Sequence, residues 1–321
     1  MHWKIDHYYV SHLLDWLHSN RLSLNANKMH IMIFGPKSKP NLDKVIIKID
    51  ETILNLVTFT KFLGVILDSN INWKNHISYI STKIAKSIGI LSIARKTLPQ
   101  KTLIQLYFSL IYPYLTYCII IWGNSPSSTL WPVLRLQKIA LRLISNLRYR
   151  QSSLPFCKLH TILRLPEIYI HSAAMFMYKF KNSLLPQPFD DFFQDNSNYH
   201  RYPTRSANNI RIPLVKTQIA DKFIIKSGAQ IWNTISNEVD ISQKIGPFKG
   251  ALKLHLTRKF YWVLLPWVLT AVYALHPRLV ILGNITYPLY IYYILILTVS
   301  RPVWSLPLLD FLSPTAPFLR L

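Results

Sequence analysis

Between residues 76 and 97 the apolar side chains recur at intervals of three and four: Ile77, Ile80, Ile84, Ile88 and Leu91. That spacing puts them on one face of an α-helix, because 3.6 residues complete a turn. Lys83, Lys86, Arg95 and Lys96 fall mostly off that face. The texture stays helical beyond this segment. Pro99 opens a second helix that runs to about Tyr112, with Pro113 as a breaker or kink. A third helix spans about Ser128 to Asn146, and Pro155 to Asn182 reads as two more short helices. Gln187 to Pro213 is rich in Pro, Asn, Asp and Ser and reads as a long loop. Helices over about Asp221 to Asn233 and Gly246 to Lys259 follow.

The first 70 residues have a different period. Residues 6 to 20 read as a helix with Tyr9, Leu13, Trp16 and Leu17 on one face, ended by Asn20 and the polar cluster Ser23, Asn25 and Asn27. His30 to Phe34, bounded by Gly35-Pro36, reads as a short strand. Val45 to Asp50 and Lys61 to Leu67 are further strand candidates, and Val45 to Ile49 partly alternates as a half-buried strand does. The fold class is therefore α+β. A small mixed α/β segment (1–70) precedes helical segments at 71–150 and 151–259, then a hydrophobic helical tail at 260–321.

The charge is as uneven as the texture. There are 37 Lys and Arg against 14 Asp and Glu. From Phe260 onward the charged residues are Arg278, Arg301, Asp310 and Arg320. Subtracting them leaves 34 basic and 13 acidic residues in 1–259, a balance of +21. A domain with that excess repels itself and implies a polyanionic partner. Nucleic acid comes first and an anionic membrane surface second. The two cysteines, Cys118 and Cys157, cannot make a four-ligand zinc site. Their apolar surroundings read as buried, reduced thiols, which points to an intracellular, reducing compartment. The N-terminal MHWKIDHYYV lacks the apolar stretch of a signal peptide.

In the tail, Phe260 to Leu275 is sixteen uncharged residues broken by Pro266, and Leu279 to Ser300 is twenty-two containing Gly283, Asn284 and Pro288. The second run is long enough for a transmembrane helix, at roughly twenty residues per span. Three readings stay open: a membrane anchor through 260–300, sequence translated beyond a coding frame, or a buried part of the domain. If the anchor inserts, the basic body is expected on the cytoplasmic side.

Several blocks resemble one family, the reverse transcriptases of jockey-like, non-LTR (LINE) retrotransposons, which are RNA-directed DNA polymerases carried by transposable elements. Leu14-Asp15-Trp16-Leu17, Asn20 to Asn25, Lys28 and Ile31 to Phe34 resemble the helix-turn-strand that follows the catalytic strands of that palm. Lys61 to Asp68 resembles its primer-grip hairpin. Trp73, His76 and Ile77 resemble the start of the first thumb helix. Tyr112 to Tyr117 with Trp122-Gly123, and Leu136-Gln137-Lys138 with Arg142-Leu143-Ile144, resemble the next blocks. Tyr202 to Ser206, Ile231-Trp232-Asn233, Phe248-Lys249 and Leu252-Lys253 resemble the end of the reading frame. Order and spacing agree over about residues 8 to 257. The resemblance implies a palm remnant with a primer-grip-like hairpin at 1–70 and a thumb-like region at 71–150. It implies a helical C-terminal region at 151–259 and leaves the tail unaccounted for. Lys28 would be the family's motif-D lysine.

The family's chemistry uses two metal ions held by aspartates, two of them in a Tyr-X-Asp-Asp turn. No such turn occurs here, and the chain enters the family's pattern just beyond it. The one Asp-Asp pair, Asp190-Asp191, lies in the Pro-rich loop, where the family has an acidic-aromatic patch without a catalytic role. The expectation is a fragment of the polymerase that lacks the catalytic block. It needs no cofactor of its own, although the intact family uses magnesium. There is no Gly-rich phosphate loop, no Gly-X-Ser-X-Gly elbow and no His-X-Asp pair for an iron triad. His76 and His160 read as core or solvated residues.

Non-specific contact with the backbone of an RNA/DNA duplex is what remains, since phosphates carry no base identity. Arg135, Lys138 and Arg142 stand at i, i+3 and i+7, one stripe of a helix, and Arg148 and Arg150 follow with Tyr149 between them. Lys61, Gly64, Lys83 and Lys86 complete the candidate nucleic-acid-binding set. The competing account of each stripe is an ordinary solvated face. Trp73 and Tyr149 read as core aromatics before base-stacking ones, and Phe62-Leu63-Gly64 reads as a buried strand with Gly64 at a bend or close contact. Arg205 and Trp232 read as packing or capping residues. Two alternatives to the polymerase fragment are a membrane-associated basic interaction protein and a translated relic without function.

Overall fold

A computed structural model describes residues 15–22, 25, 29–34, 48–49, 52–53, 55–148, 151–198, 206–217 and 220–259. The chain divides into two units, Met1–Phe260 and Tyr261–Leu321, and the described residues all belong to the first. Most of the expected helix at 6–20 and the whole tail therefore lie outside them, while residues 15–19 are helical.

The described fold is α+β. Its strands are short: β1 (His30–Ile31), β2 (Lys48–Ile49), β3 (Thr52–Ile53), β4 (Asn55–Leu56), β5 (Phe59–Phe62) and β6 (Val65–Asp68). They pair two by two. β1 runs parallel to β4, β2 antiparallel to β3, and β5 antiparallel to β6 in the register Phe59 to Asp68 through Phe62 to Val65. The expected strand at Lys61–Leu67 is thus two strands and a turn. Leu63 and Gly64 form the turn with φ of +45° and +84°, the pair of positive values that a tight primed hairpin turn demands.

A buried aspartate joins this hairpin to the first long helix. Asp68 accepts backbone N–H bonds from Asn70 (3.0 Å), Asn72 (3.2 Å) and Trp73 (3.1 Å). The carboxylate fixes a loop whose residues Ile71 and Trp73 both have positive φ. It also sits where the unpaired amides of a helix start favour negative charge. Helix α1 (Lys74–Ala94) follows, and Ile77, Ile80, Ile84 and Leu91 are all buried, as their spacing predicts. Two shorter helices, α2 (Gln100–Leu110) and α3 (Tyr112–Thr116), meet at Ile111, with Pro113 at the start of α3. After α4 (Ile119–Trp122) comes α5 (Ser127–Ile144), which packs along α1 and buries Val133, Ala140, Leu141 and Ile144.

α6 (Leu154–Leu159) is short, but α7 (Leu165–Lys181) is not: seventeen residues stand where the sequence suggested a second short helix. α7 is buried on several sides because α3, α4, α8 (Ile224–Ile235) and α9 (Ile245–Arg258) all pack on it. Its N-terminus holds a buried ion pair, Arg164 with Glu167. Tyr169 donates to Ser227 Oγ at 2.8 Å, and Tyr178 donates to the Gln243 carbonyl at 2.6 Å while stacking on Phe248. Within the expected loop at 187–213, Gln187–Phe189 and Asn196–Asn198 form short 3-10 turns. Asn233 pairs with both backbone groups of Ile210, at 2.9 and 2.8 Å, and Lys181 reaches Asp195 at 2.5 Å. Trp232 packs in the core, as expected, and so does Trp73.

Two glycines separate packing from propensity. A Cβ on Gly123 would lie 2.6 Å from the Ile119 carbonyl oxygen and 2.8 Å from the Tyr169 ring, while one on Gly89 would meet nothing within 4 Å. Gly123→Ala is expected to lower the urea unfolding free energy by about 2 kcal/mol, as overpacking does. Gly89→Ala, in the middle of α1, should raise it by about 0.5–1 kcal/mol. Equal effects in denaturant titrations of the two variants would contradict the packing around Gly123.

Candidate nucleic-acid interface

The predicted basic residues fall into two groups, one at the hairpin and α1, the other on α5. In the first, Lys61 of β5 donates to the Tyr79 hydroxyl at 3.3 Å and lies 5.0 Å from the centre of its ring. Lys83, one turn further along α1, lies 5.7 Å from the same ring. Two ammonium groups thus lie close to one aromatic ring, which offsets some of their repulsion. Lys86 continues the line, exposed, at the i+7 position from Tyr79.

Gly64 lies at the exposed hairpin tip. The Tyr117 hydroxyl donates to the Leu63 carbonyl at 2.5 Å, and its ring would be 3.4 Å from a Cβ on Gly64. Gly64 thus sits at a bend and a close contact, as expected, but the reading of Phe62-Leu63-Gly64 as buried strand is corrected. Phe62 is 61% exposed and Leu63 75%, because the turn carries them past the helices. Burial begins at Val65, where β6 meets α1.

On α5, Arg135 is exposed and Lys138 is half-buried, its ammonium 5.0 Å from the ring centre of the exposed Trp131. Burial lowers the pKa of Lys138, and the nearby Arg164 and Arg142 lower it further. Arg142 donates from Nε to the Gln151 carbonyl at 2.9 Å, and the Arg148 backbone N–H donates to Gln151 Oε1 at 2.9 Å. Gln151 therefore folds the end of the stripe back on itself. Lys28, Tyr149, Arg150 and Arg205 lie outside the described residues.

Reading the cations alone missed Tyr79 and Trp131. Both could have been found from spacing, since Tyr79-Lys83-Lys86 and Trp131-Arg135-Lys138 each stand at i, i+4 and i+7. A second missed signal is an absence. Between Asp68 and Glu167 the sequence has thirteen Lys and Arg and no Asp or Glu. Helices α1 to α6 come from this stretch, so no carboxylate of their own neutralises their cationic faces.

Other candidates carry less chemistry. Asp190 and Asp191 are both exposed, beside a cluster of Phe176, Phe189, Phe192 and Phe193. Among the described residues no three His, Cys, Asp or Glu side chains converge. Among them, too, no helix is long and apolar enough to cross a membrane. Cys118 and Cys157 are both free, Cys157 fully buried and Cys118 half-buried. Burial pushes the Cys157 thiol up to about 11, which keeps it protonated and unreactive. His160 packs on Phe156, with ring centres 4.5 Å apart. Comparison with known protein families, with curated proteins and with solved structures finds no match to this chain.

His76 is a core residue with a consequence for pH. Its Nδ1 accepts the Ile66 N–H at 3.3 Å, and its ring meets Trp73 and Trp122 edge to face. Burial lowers its pKa from 6.5 to about 4. The folded state thus binds fewer protons than the unfolded chain between those values, and stability must rise with pH across that window. The contribution is complete above pH 6.5 and is lost as pH falls towards 4. Wild-type protein should lose on the order of 2 kcal/mol more than His76→Gln between pH 7 and pH 4.5 in urea titrations. Parallel pH profiles for the two proteins would show that His76 is not held neutral.

Proposed function

We propose that this chain is the nucleic-acid-gripping part of a non-LTR retrotransposon reverse transcriptase, holding duplex phosphates without catalysing polymerisation itself. The observation that carries the reading is the acid-free stretch between Asp68 and Glu167, whose helices bear the Lys83-Lys86 and Arg135-Lys138 faces. An ordinary solvated helix face mixes both signs of charge. A face of one sign, with an exposed aromatic ring under its lysines, suits a partner with closely spaced negative charge.

On this reading the hairpin Phe59–Asp68 is the primer-grip-like element, with Tyr117 bracing its tip and Lys61 beside it. Helices α1 to α5 form the thumb-like region along which a duplex backbone would run. The helices beyond residue 151 form the C-terminal region, and the tail has no part in the grip. Lys61, Lys83, Lys86, Arg135 and Lys138 contact phosphates, Arg142 keeps one edge of its guanidinium on Gln151, and Gly64 lets the hairpin tip turn without a side chain against Tyr117.

Binding of the purified chain to an RNA/DNA heteroduplex should weaken steeply between low and moderate salt, because bound counterions are released from the phosphates. The double variant Arg135→Glu/Lys138→Glu should bind about tenfold or more weakly and lower the slope of log K against log salt by about 2, near 0.9 for each phosphate contact removed. Fluorescence anisotropy at several salt concentrations checks both, and a salt-independent affinity would exclude phosphate gripping.

Catalysis tests separately. The sequence has no Tyr-X-Asp-Asp turn to hold the metal ions. The chain alone, given primer, template, magnesium and nucleotides, should incorporate none. Primer extension by homogeneous protein would overturn the assignment of a gripping role without chemistry.

A further inference from the structure

A second cationic feature lies on other helices. A cleft of about 540 Å³ is lined by residues of α7 and α9, among them His171, Ser172, Lys179, Gly246 and Lys249. No acidic residue lines it. Its remaining walls are apolar and include Met175 and Phe176. Among the described residues neither Lys179 nor Lys249 makes an ion pair with a carboxylate.

His171 is the unusual member of this lining. Its Nε2 is shielded from water and has no hydrogen-bond partner, a costly state for a buried polar atom. Burial lowers its pKa, and the ammonium groups of Lys249 and Lys253 on α9 lower it further, against a hydrogen bond with the Lys249 backbone. The first turn of α9 has no acidic residue and no side-chain cap, so the amides of Ile245 and Gly246 add to the positive potential of that wall. A Cβ on Gly246 would meet nothing within 4 Å, so the space beside the turn is open.

We infer that the cleft between α7 and α9 is an anion site for a phosphate ester, with Lys179 and Lys249 on the charge and the apolar floor at Met175 and Phe176 on the attached group. The His171 ring lines the cleft and reports its occupant, while its shielded Nε2 stays out of reach of a phosphate oxygen. The site uses none of the residues on the α1 and α5 faces, so it stands or falls apart from the duplex grip.

The test titrates the full chain with adenosine monophosphate, inorganic phosphate, adenosine and a short single-stranded oligonucleotide, following heat of binding and the ring resonances of His171. Phosphate-bearing ligands should bind and shift His171, while adenosine should do neither. Binding of the mononucleotide identifies a free phosphate monoester as sufficient, and binding of the oligonucleotide alone identifies a phosphodiester strand as the source. Lys249→Glu should weaken binding at least tenfold, with Lys249→Gln as a milder variant and melting temperature as the check on folding. Lys216→Glu, at an exposed position outside both candidate sites, changes the net charge by the same amount and should leave the affinity within twofold. Equal losses in Lys216→Glu and Lys249→Glu would reduce the effect to bulk charge and overturn the site, as would the absence of any phosphate-dependent shift at His171.

Discussion

The helical body depends on one buried amide. Gln137 has no exposed surface and sits in the middle of α5. Its Nε2 donates to the Tyr107 hydroxyl at 2.9 Å and to the Leu163 carbonyl at 3.0 Å, and its Oε1 accepts the Leu165 N–H at 2.9 Å. One side chain thus joins α2, α5 and the backbone that enters α7. Each of these partners is buried, so losing the amide strands polar groups at about 1–3 kcal/mol apiece. An apolar core alone would let α5 slide against α2 with little change in contact. The amide fixes the register, because its three bonds are satisfied in one arrangement only.

The register matters because it decides where the cations point. Val133, Ala140, Leu141 and Gln137 turn one side of α5 inward, and Arg135 at the same stroke turns outward. The same logic holds on α1, where the buried isoleucines set the direction of Lys83 and Lys86. Asp68 then ties the hairpin to the start of α1, and through β5 it brings Lys61 to Tyr79. The candidate interface is therefore a by-product of core geometry. Its residues make few contacts with one another, and their relative placement rests on Asp68, His76 and Gln137 beneath them.

What the sequence made legible follows the same division. Helices with an unbroken apolar period, such as α1 and α5, were found close to their true bounds, because one buried face leaves a regular trace. α7 was underestimated because several elements cover it, and a helix buried on most sides loses the contrast between faces. The hairpin turn was misread because Leu63 adopts a conformation that leucine seldom takes, held there by a tyrosine 54 positions away. The positions of Asp195 and Ile210 depend on Lys181 and Asn233, whose bonds to distant carboxylate and backbone have no periodic signature. The cations are visible one by one in the sequence, but the rings beside them, Tyr79 and Trp131, stand out only through their i+4 and i+7 spacing to the lysines and arginine.

Cations gathered without carboxylates carry a standing cost. Lys138 shows it directly, since burial and two arginines together depress its pKa in the free protein. The pairing of Lys61 and Lys83 over Tyr79 shows the local remedy, a polarisable face in place of a counter-charge. That remedy is partial, because a ring supplies about 1 kcal/mol at an exposed site and no net negative charge. A polyanion laid along the same faces removes the repulsion and adds attraction, and it does so only for the folded arrangement that aligns them. On the proposed reading, folding and binding are coupled, and occupancy of the interface would stabilise the fold as well as the complex. On the proposed reading, the phosphate backbone supplies the negative charge that a basic body with so few acids of its own lacks.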